Sequence, residues 1–204
     1  MAKLYFRYGA MNSGKSTALL QAAFNYEERG HEVLLAKPSV DTKGAEAIVS
    51  RLGVERPVDF VFRPDDDAYA LFQRHRRERI DATTRDVSCL LVDEAQFLND
   101  EQVDDLLRVA LLENIPVMAY GIRTDFQTVA FPGSRRLLEV AHSLEELKTI
   151  CRCGRKAMFN GRLVDGRFVF DGSQVAIDGE SVTYESLCGA CYLQESAGEL
   201  APPR

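Results

Sequence analysis

The stretch Gly9-Ala10-Met11-Asn12-Ser13-Gly14-Lys15-Ser16 constrains this chain more than any other. It has the pattern G-x-x-x-x-G-K-S, and its setting matters as much as its letters. Upstream, Leu4-Tyr5-Phe6-Arg7-Tyr8 reads as a short buried strand. Downstream, Ala18, Leu19, Leu20, Ala22, Ala23 and Phe24 put an apolar face on a helix from about Gly14 to Arg29. A strand, a glycine-rich turn and a helix start form a phosphate cradle. Gly9 and Gly14 let the backbone turn tightly with no Cβ in the way. The loop amides and the helix N-terminus then aim partial positive charge at an oxyanion. Lys15 adds a full charge near the β/γ oxygens, and the Ser16 hydroxyl can ligate Mg²⁺. The nucleotide-binding set is therefore expected to run from Gly9 to Ser16, with Thr17 following into the helix.

After Gly30, a left-handed cap candidate, His31-Glu32-Val33-Leu34-Leu35-Ala36-Lys37 is a second strand stopped by Pro38. Strand, helix, strand makes a βαβ unit, which predicts a mostly parallel sheet covered on both faces. Ser39 to Gly53 is polar and weakly periodic, and leaves the C-terminal end of a strand, where open α/β sheets bind ligands. Val58 to Phe62 is a third strand, followed by a charged helix from about Asp66 to Arg79.

The second anchor is Val87-Ser88-Cys89-Leu90-Leu91-Val92-Asp93-Glu94-Ala95-Gln96-Phe97. A buried strand ending in an acid downstream of a P-loop matches the Walker-B arrangement, so Asp93 is expected in the magnesium shell. If strand alternation persists, Glu94 points the other way, toward a substrate, and can take the proton from an attacking hydroxyl or water. Ala95 and Gln96 complete this side of the nucleotide site. Cys89, inside the apolar run, reads as inert core. A helix from Glu101 to about Glu113 and a strand from Ile115 to Tyr120 follow. The long connection Gly121 to Ser134 carries two Phe and a Thr-Asp pair, and is expected to be a closing flap beside the site.

The last quarter has different grammar. Cys151-Arg152-Cys153-Gly154 and Cys188-Gly189-Ala190-Cys191 flank a hairpin, Arg162 to Phe170, turning at Asp165-Gly166. Two close cysteine pairs held apart by β structure predict a structural Zn²⁺ ribbon with Cys151, Cys153, Cys188 and Cys191 as ligands. Paired disulfides are the rival, which a reducing cytoplasm disfavours. The expected organisation is a P-loop core over 1–148, a zinc ribbon over 149–196 and a flexible tail over 197–204.

Composition excludes other classes. The formal net charge is -6, and the most basic stretch, Arg74-His75-Arg76-Arg77-Glu78-Arg79, has acidic neighbours in Asp65, Asp66 and Asp67, so it reads as a solvated helix face. A P-loop ATPase whose ribbon grips nucleic acid would need a positive surface; this charge argues against a nucleic-acid partner. No apolar run approaches the roughly 20 residues of a bilayer span. The chain enters its first strand directly, so no secretion signal and a cytoplasmic location are expected.

With the N-terminal P-loop, Asp93-Glu94-Ala95-Gln96-Phe97, Arg123-Thr124-Asp125-Phe126 and the four-cysteine ribbon in that order, the chain resembles the thymidine kinases of bacteria and animal cytosol from Leu4 to about Tyr192. The resemblance implies a RecA-like α/β core with a small zinc-bearing β lobe. It also implies ATP- and Mg²⁺-dependent phosphorylation of the thymidine 5′-hydroxyl. By similarity, Glu94 is the general base and Lys15 assists the transferred phosphoryl group. Met11, Phe97, Ile122 and Phe126 surround the base. Tyr184 stands in the lasso loop, where Gln174 to Thr183 offer backbone contacts to thymine. A homotetramer and feedback inhibition by dTTP are implied as well. Lys43 stands where many members carry Arg after Asp-Thr, a point charge in place of a planar fork.

Overall fold

The computed structural model describes residues 1–39, 46–174 and 182–200. The elements run in order as β1 (Leu4–Tyr8), α1 (Lys15–Glu27), β2 (Glu32–Pro38), β3 (Ala47–Val49), β4 (Glu55–Pro57), β5 (Phe60–Phe62), α2 (Ala68–Thr83), β6 (Val87–Val92), a 3-10 turn (Ala95–Phe97), α3 (Asp100–Leu112), β7 (Val117–Gly121), α4 (Pro132–Val140) and β8 (Ser143–Glu146). The C-terminal part adds β9 (Thr149–Ile150), β10 (Lys156–Ala157), β11 (Phe159–Val164), β12 (Arg167–Val169), β13 (Val182–Leu187) and α5 (Gly189–Glu195).

Period-two alternation within apolar strands decides the layering. In β2 and β6, Leu34, Ala36, Leu90 and Val92 face one side, where they meet Phe72 of α2, Val103, Leu106 and Val109 of α3 and Leu137 of α4. Val33, Leu35, Cys89 and Leu91 face the other, against Leu19, Leu20 and Ala23 of α1. Both faces are covered, as a parallel sheet requires. The strand order is β5-β2-β6-β7-β1-β8, and every pairing in it is parallel. Each of the fully buried Leu, Val and Phe side chains among these contributes about 1.5–3 kcal/mol, so truncating Leu90 to Ala would cost about 2–5 kcal/mol.

Local signals set the helix starts. Asp67 caps α2 by accepting from the Ala70 amide at 2.8 Å, and Asn99 and Gln102 form a reciprocal capping box at α3. The basic stretch of α2 is ion-paired: Arg76 reaches Asp86 and Glu113, both at 2.6 Å, and Arg79 reaches Glu32 and Asp59.

Three segments depart from the sequence reading. The polar stretch after β2 includes an ordered strand, β3, which pairs antiparallel with β4 and buries Ile48 against the α1 side of the sheet. Its hydrophobic content is too short to show periodicity. The polar strand β8 closes the sheet edge beside β1. Gly121 to Ser134 forms a packed wall: the Asp125 carboxylate accepts from the Gln127 and Val129 amides at 2.8 and 2.9 Å, and α4 begins at Pro132. Among the described residues no helix is long and apolar enough to cross a membrane.

The second sheet, β12-β11-β13, is antiparallel, and its hairpin turns at Asp165 and Gly166, both at positive φ. Residues 175–181 of the lasso stretch, Lys43 and residues 201–204 lie outside the described residues. Of the expected tail, Gly198 donates its amide to the Leu193 carbonyl at 2.7 Å, closing the end of α5.

Candidate active site

Parallel pairing brings the C-terminal ends of β1, β6 and β7 together, and the loops leaving them build the site. After β1, the Gly9 amide donates to the Gly121 carbonyl at 3.3 Å. A Cβ at Gly9 would lie 2.5 Å from the Leu147 carbonyl, and Gly14 adopts φ +77°, which explains glycine at both places. Lys15 is 8% exposed and donates to the Ala10 carbonyl at 3.0 Å. Burial holds its ammonium below the usual range, while the Glu94 and Asp93 carboxylates pull it back up. Ser16 lies in the first turn of α1, and its hydroxyl favours the charged form of the Asp93 carboxyl.

After β6, Asp93 is 5% exposed, and burial followed by repulsion from Glu94 pushes its carboxyl upward. A buried acid touching a hydroxyl at a phosphate loop is a hard-oxygen donor set that suits a divalent cation. Strand alternation does not carry through to Glu94. β6 ends at Val92, and Glu94 sits in left-handed backbone at φ 49°, ψ 37°, as the cap of the 3-10 turn. That turn, rather than a strand pleat, aims its side chain. The Gln96 amide donates to the Glu94 carboxylate, and the Gln96 side-chain oxygen accepts from the Ile122 amide at 3.2 Å. Ala95 is fully buried beneath.

Glu94 lines a cleft of about 600 Å³, its open mouth included, with Met11, Gln96, Phe97, Ile122, Asp125, Phe126, Phe131, Asn160, Gln174 and Tyr184. The aromatic walls suit a flat small molecule with a few polar anchors. The structure thus brings Met11, Phe97, Ile122, Phe126 and Tyr184 into one cleft with Glu94, beside the loop that carries Lys15. Gly9, Ala10, Asn12, Ser13 and Thr17 lie in the loop after β1 and the first turn of α1, outside the cleft lining.

Asn160, which lines the cleft, and Arg162 behind it went unmarked in the sequence reading. Asn160, 2% exposed, accepts from the Met11 amide at 2.7 Å and donates to the Thr124 carbonyl at 2.9 Å. Arg162, 5% exposed, stacks on Phe126 and donates to the Tyr184 hydroxyl at 3.2 Å and the Gln174 carbonyl at 3.0 Å. Gln174 in turn donates to Asp125 at 2.8 Å. The faint signal was the position of Asn160 and Arg162 on one face of a strand, with Gly161 between them.

In the C-terminal part the sulfurs of Cys151, Cys153, Cys188 and Cys191 lie within 4.8 Å of one another. Cys153 and Cys188 are 3.5 Å apart, close to the edge of a tetrahedron with metal–sulfur bonds of about 2.3 Å. The Cys191 amide donates to the Cys188 sulfur at 3.5 Å and pulls its thiol down to about 6, while Cys191 moves the other way. Gly154, at φ +82°, returns its amide to the Cys151 carbonyl at 2.8 Å and closes the short first knuckle. The four sulfurs fit one metal ion with no position left open. Cys89 stands apart, buried under α1, its thiol pushed up to about 12 by burial.

A phosphate loop after β1, a buried acid after β6, one strand removed across β7, and an apolar cleft with its own carboxylate define a P-loop phosphotransferase. Known proteins narrow this. The family model described as thymidine kinase matches residues 2–192. The thymidine kinase of Mesorhizobium japonicum is 50% identical over 204 residues, covering 99% of this chain and 96% of that protein. That of Legionella pneumophila (strain Paris) is 46% identical, covering 99% and 94%. The chain belongs to the thymidine kinase family. A solved structure described as an ATPase domain shares the fold at TM-score 0.51 and 11% identity, covering 99% of this chain and 85% of that one.

Proposed function

We propose that this protein transfers the γ-phosphoryl group of ATP to the 5′-hydroxyl of thymidine, giving dTMP. The observation that carries the reading is the position of Glu94. Its carboxylate lines the apolar cleft and also acts on the ammonium of Lys15 in the phosphate loop. A hydroxyl seated in the cleft therefore meets a base on the side that faces the donor. Glu94 takes the proton as the hydroxyl oxygen bonds to phosphorus and the bond to the ADP leaving oxygen breaks. Lys15, the Asn12 amide and the first-turn amides of α1 stabilise charge on the phosphoryl oxygens. Asp93 and Ser16 would hold Mg²⁺, which when bound neutralises charge on the β and γ phosphates. Phe97, Phe126 and Tyr184 offer aromatic walls to a pyrimidine, with Met11 and Ile122 filling the remainder.

Zn²⁺ is the metal that four cysteine thiolates in tetrahedral array suit best, and its role here is structural. The same reading carries inhibition by dTTP, a homotetramer and a cytoplasmic location, checked by product titration, light scattering and fractionation. The deciding experiment offers the four deoxynucleosides with MgATP and follows both ADP and the nucleoside monophosphate. Thymidine-dependent ADP release with matching dTMP is expected. ATP splitting without dTMP, or stimulated instead by DNA, would overturn the proposal in favour of a ribbon-bearing ATPase.

A further inference from the structure

Met11 belongs to two sites at once. Its backbone is part of the phosphate loop and its side chain lines the cleft. Both polar groups of that backbone are held from the part of the chain that carries the four-cysteine cluster. The Met11 amide donates to the Asn160 side-chain oxygen at 2.7 Å, and the Ser186 hydroxyl donates to the Met11 carbonyl. Asn160 and Ser186 are direct cross-strand partners on β11 and β13, both buried. They present to Met11 the acceptor and donor that a sheet edge would have supplied.

Planar trans peptides turn this grip inward. With the Met11 amide held toward Asn160, the Ala10 carbonyl on the same peptide points the opposite way, where it accepts from Lys15 and the Ser13 amide. With the Met11 carbonyl held toward Ser186, the Asn12 amide faces away from the ribbon. Asn12 takes φ 66°, left-handed backbone that asparagine tolerates better than other non-glycine residues.

We infer that Ser186, with Asn160, is a positioning residue for the phosphate donor: the C-terminal sheet sets the two peptides around Met11, and so aims the Asn12 amide and releases or retains Lys15. This rests on the reading of the loop as the donor site, and it assigns to the C-terminal sheet a second task beyond walling the acceptor cleft. Ser186 touches neither ligand; it acts through Met11.

The test compares wild type with Ser186→Ala, Ser186→Thr and Leu187→Ala, the last removing buried packing at the same depth without touching Met11. Expected for Ser186→Ala is a rise of about tenfold in KM for ATP and in the calorimetric Kd of MgADP, since a buried carbonyl loses its donor. KM for thymidine should change less than about twofold. Ser186→Thr should restore the donor constants, and Leu187→Ala should lower the melting temperature while leaving them unchanged. An unchanged Kd for MgADP in Ser186→Ala overturns the inference. So does an equal rise in both substrate constants, or the same donor defect in Leu187→Ala. Calorimetry with MgADP needs no turnover, so a wild type that makes no dTMP refutes the kinase reading separately.

Discussion

The guanidinium carbon of Arg162 lies 3.7 Å from the centre of the Phe126 ring, so a buried cation backs one wall of the cleft. The same side chain bonds Tyr184 and the Gln174 carbonyl, joining three lining residues through one planar fork. Stacking a desolvated cation on a ring is worth about 2 kcal/mol or more. Arg162→Met is expected to raise KM for thymidine by about tenfold or more, with a smaller effect on KM for ATP. Arg162→Lys keeps the charge but loses the fork, and should fall between. Steady-state kinetics with both substrates varied would check this; equal loss of both constants would assign Arg162 to general stability.

Glu94→Gln should lower kcat by about 10²–10⁴, the usual range for a lost general base, with thymidine binding retained. The Gln96 contact on Glu94 survives in the amide, so the 3-10 turn should persist. Isothermal titration with thymidine and single-turnover kinetics separate binding from chemistry. A turnover near wild type would reassign the base.

Asp93 carries a pH signature in the protein free of nucleotide and magnesium. Its carboxyl is pushed up to about 7 by burial and by Glu94, above its ordinary value of 3.8. Between those values the folded state binds more protons than the unfolded one, so stability falls as pH rises and levels off above about 7. Asp93→Asn removes that cost. The variant should melt about 3–6 °C above wild type at pH 8 and much closer to it at pH 4.5. Differential scanning calorimetry at the two pH values, without added magnesium, reads the difference. A gap that is constant with pH would place the titration elsewhere.

Withdrawing the metal should loosen more than the cysteines. Tyr192, next to Cys191 of the cysteine cluster, donates its hydroxyl to the Phe126 carbonyl at 2.7 Å beneath the cleft. Chelation followed by metal analysis should release one Zn²⁺ per chain, with loss of cleft binding and increased exchange of the β11 and β13 amides. The six-stranded sheet should keep its protection. Active protein without stoichiometric metal would remove the ribbon assignment.

What the sequence disclosed follows how local each signal is. The P-loop, β6 with Asp93, and α3 with its capping box carry their cues within a dozen residues. β8 does not: Ser143-Leu144-Glu145-Glu146 has no apolar alternation, and becomes a strand because β1 offers it a free edge. Glu94 was legible as a residue but not as a conformation, since nothing nearby announces a left-handed non-glycine. Asn160 and Arg162 look like ordinary surface letters of a hairpin. Their burial depends on partners 36 residues or more away in two directions, Phe126 and Thr124 on one side and Met11 on the other.

The cleft draws its lining from widely separated parts of the chain, beginning at Met11 and ending at Tyr184. A polypeptide still being synthesised cannot assemble it until β13 has left the ribosome and paired with β11. Any small molecule that prefers the closed cleft therefore stabilises finished chains and is indifferent to interrupted ones. Supply of such a molecule in the cell would favour the survival of full-length protein over its truncated siblings.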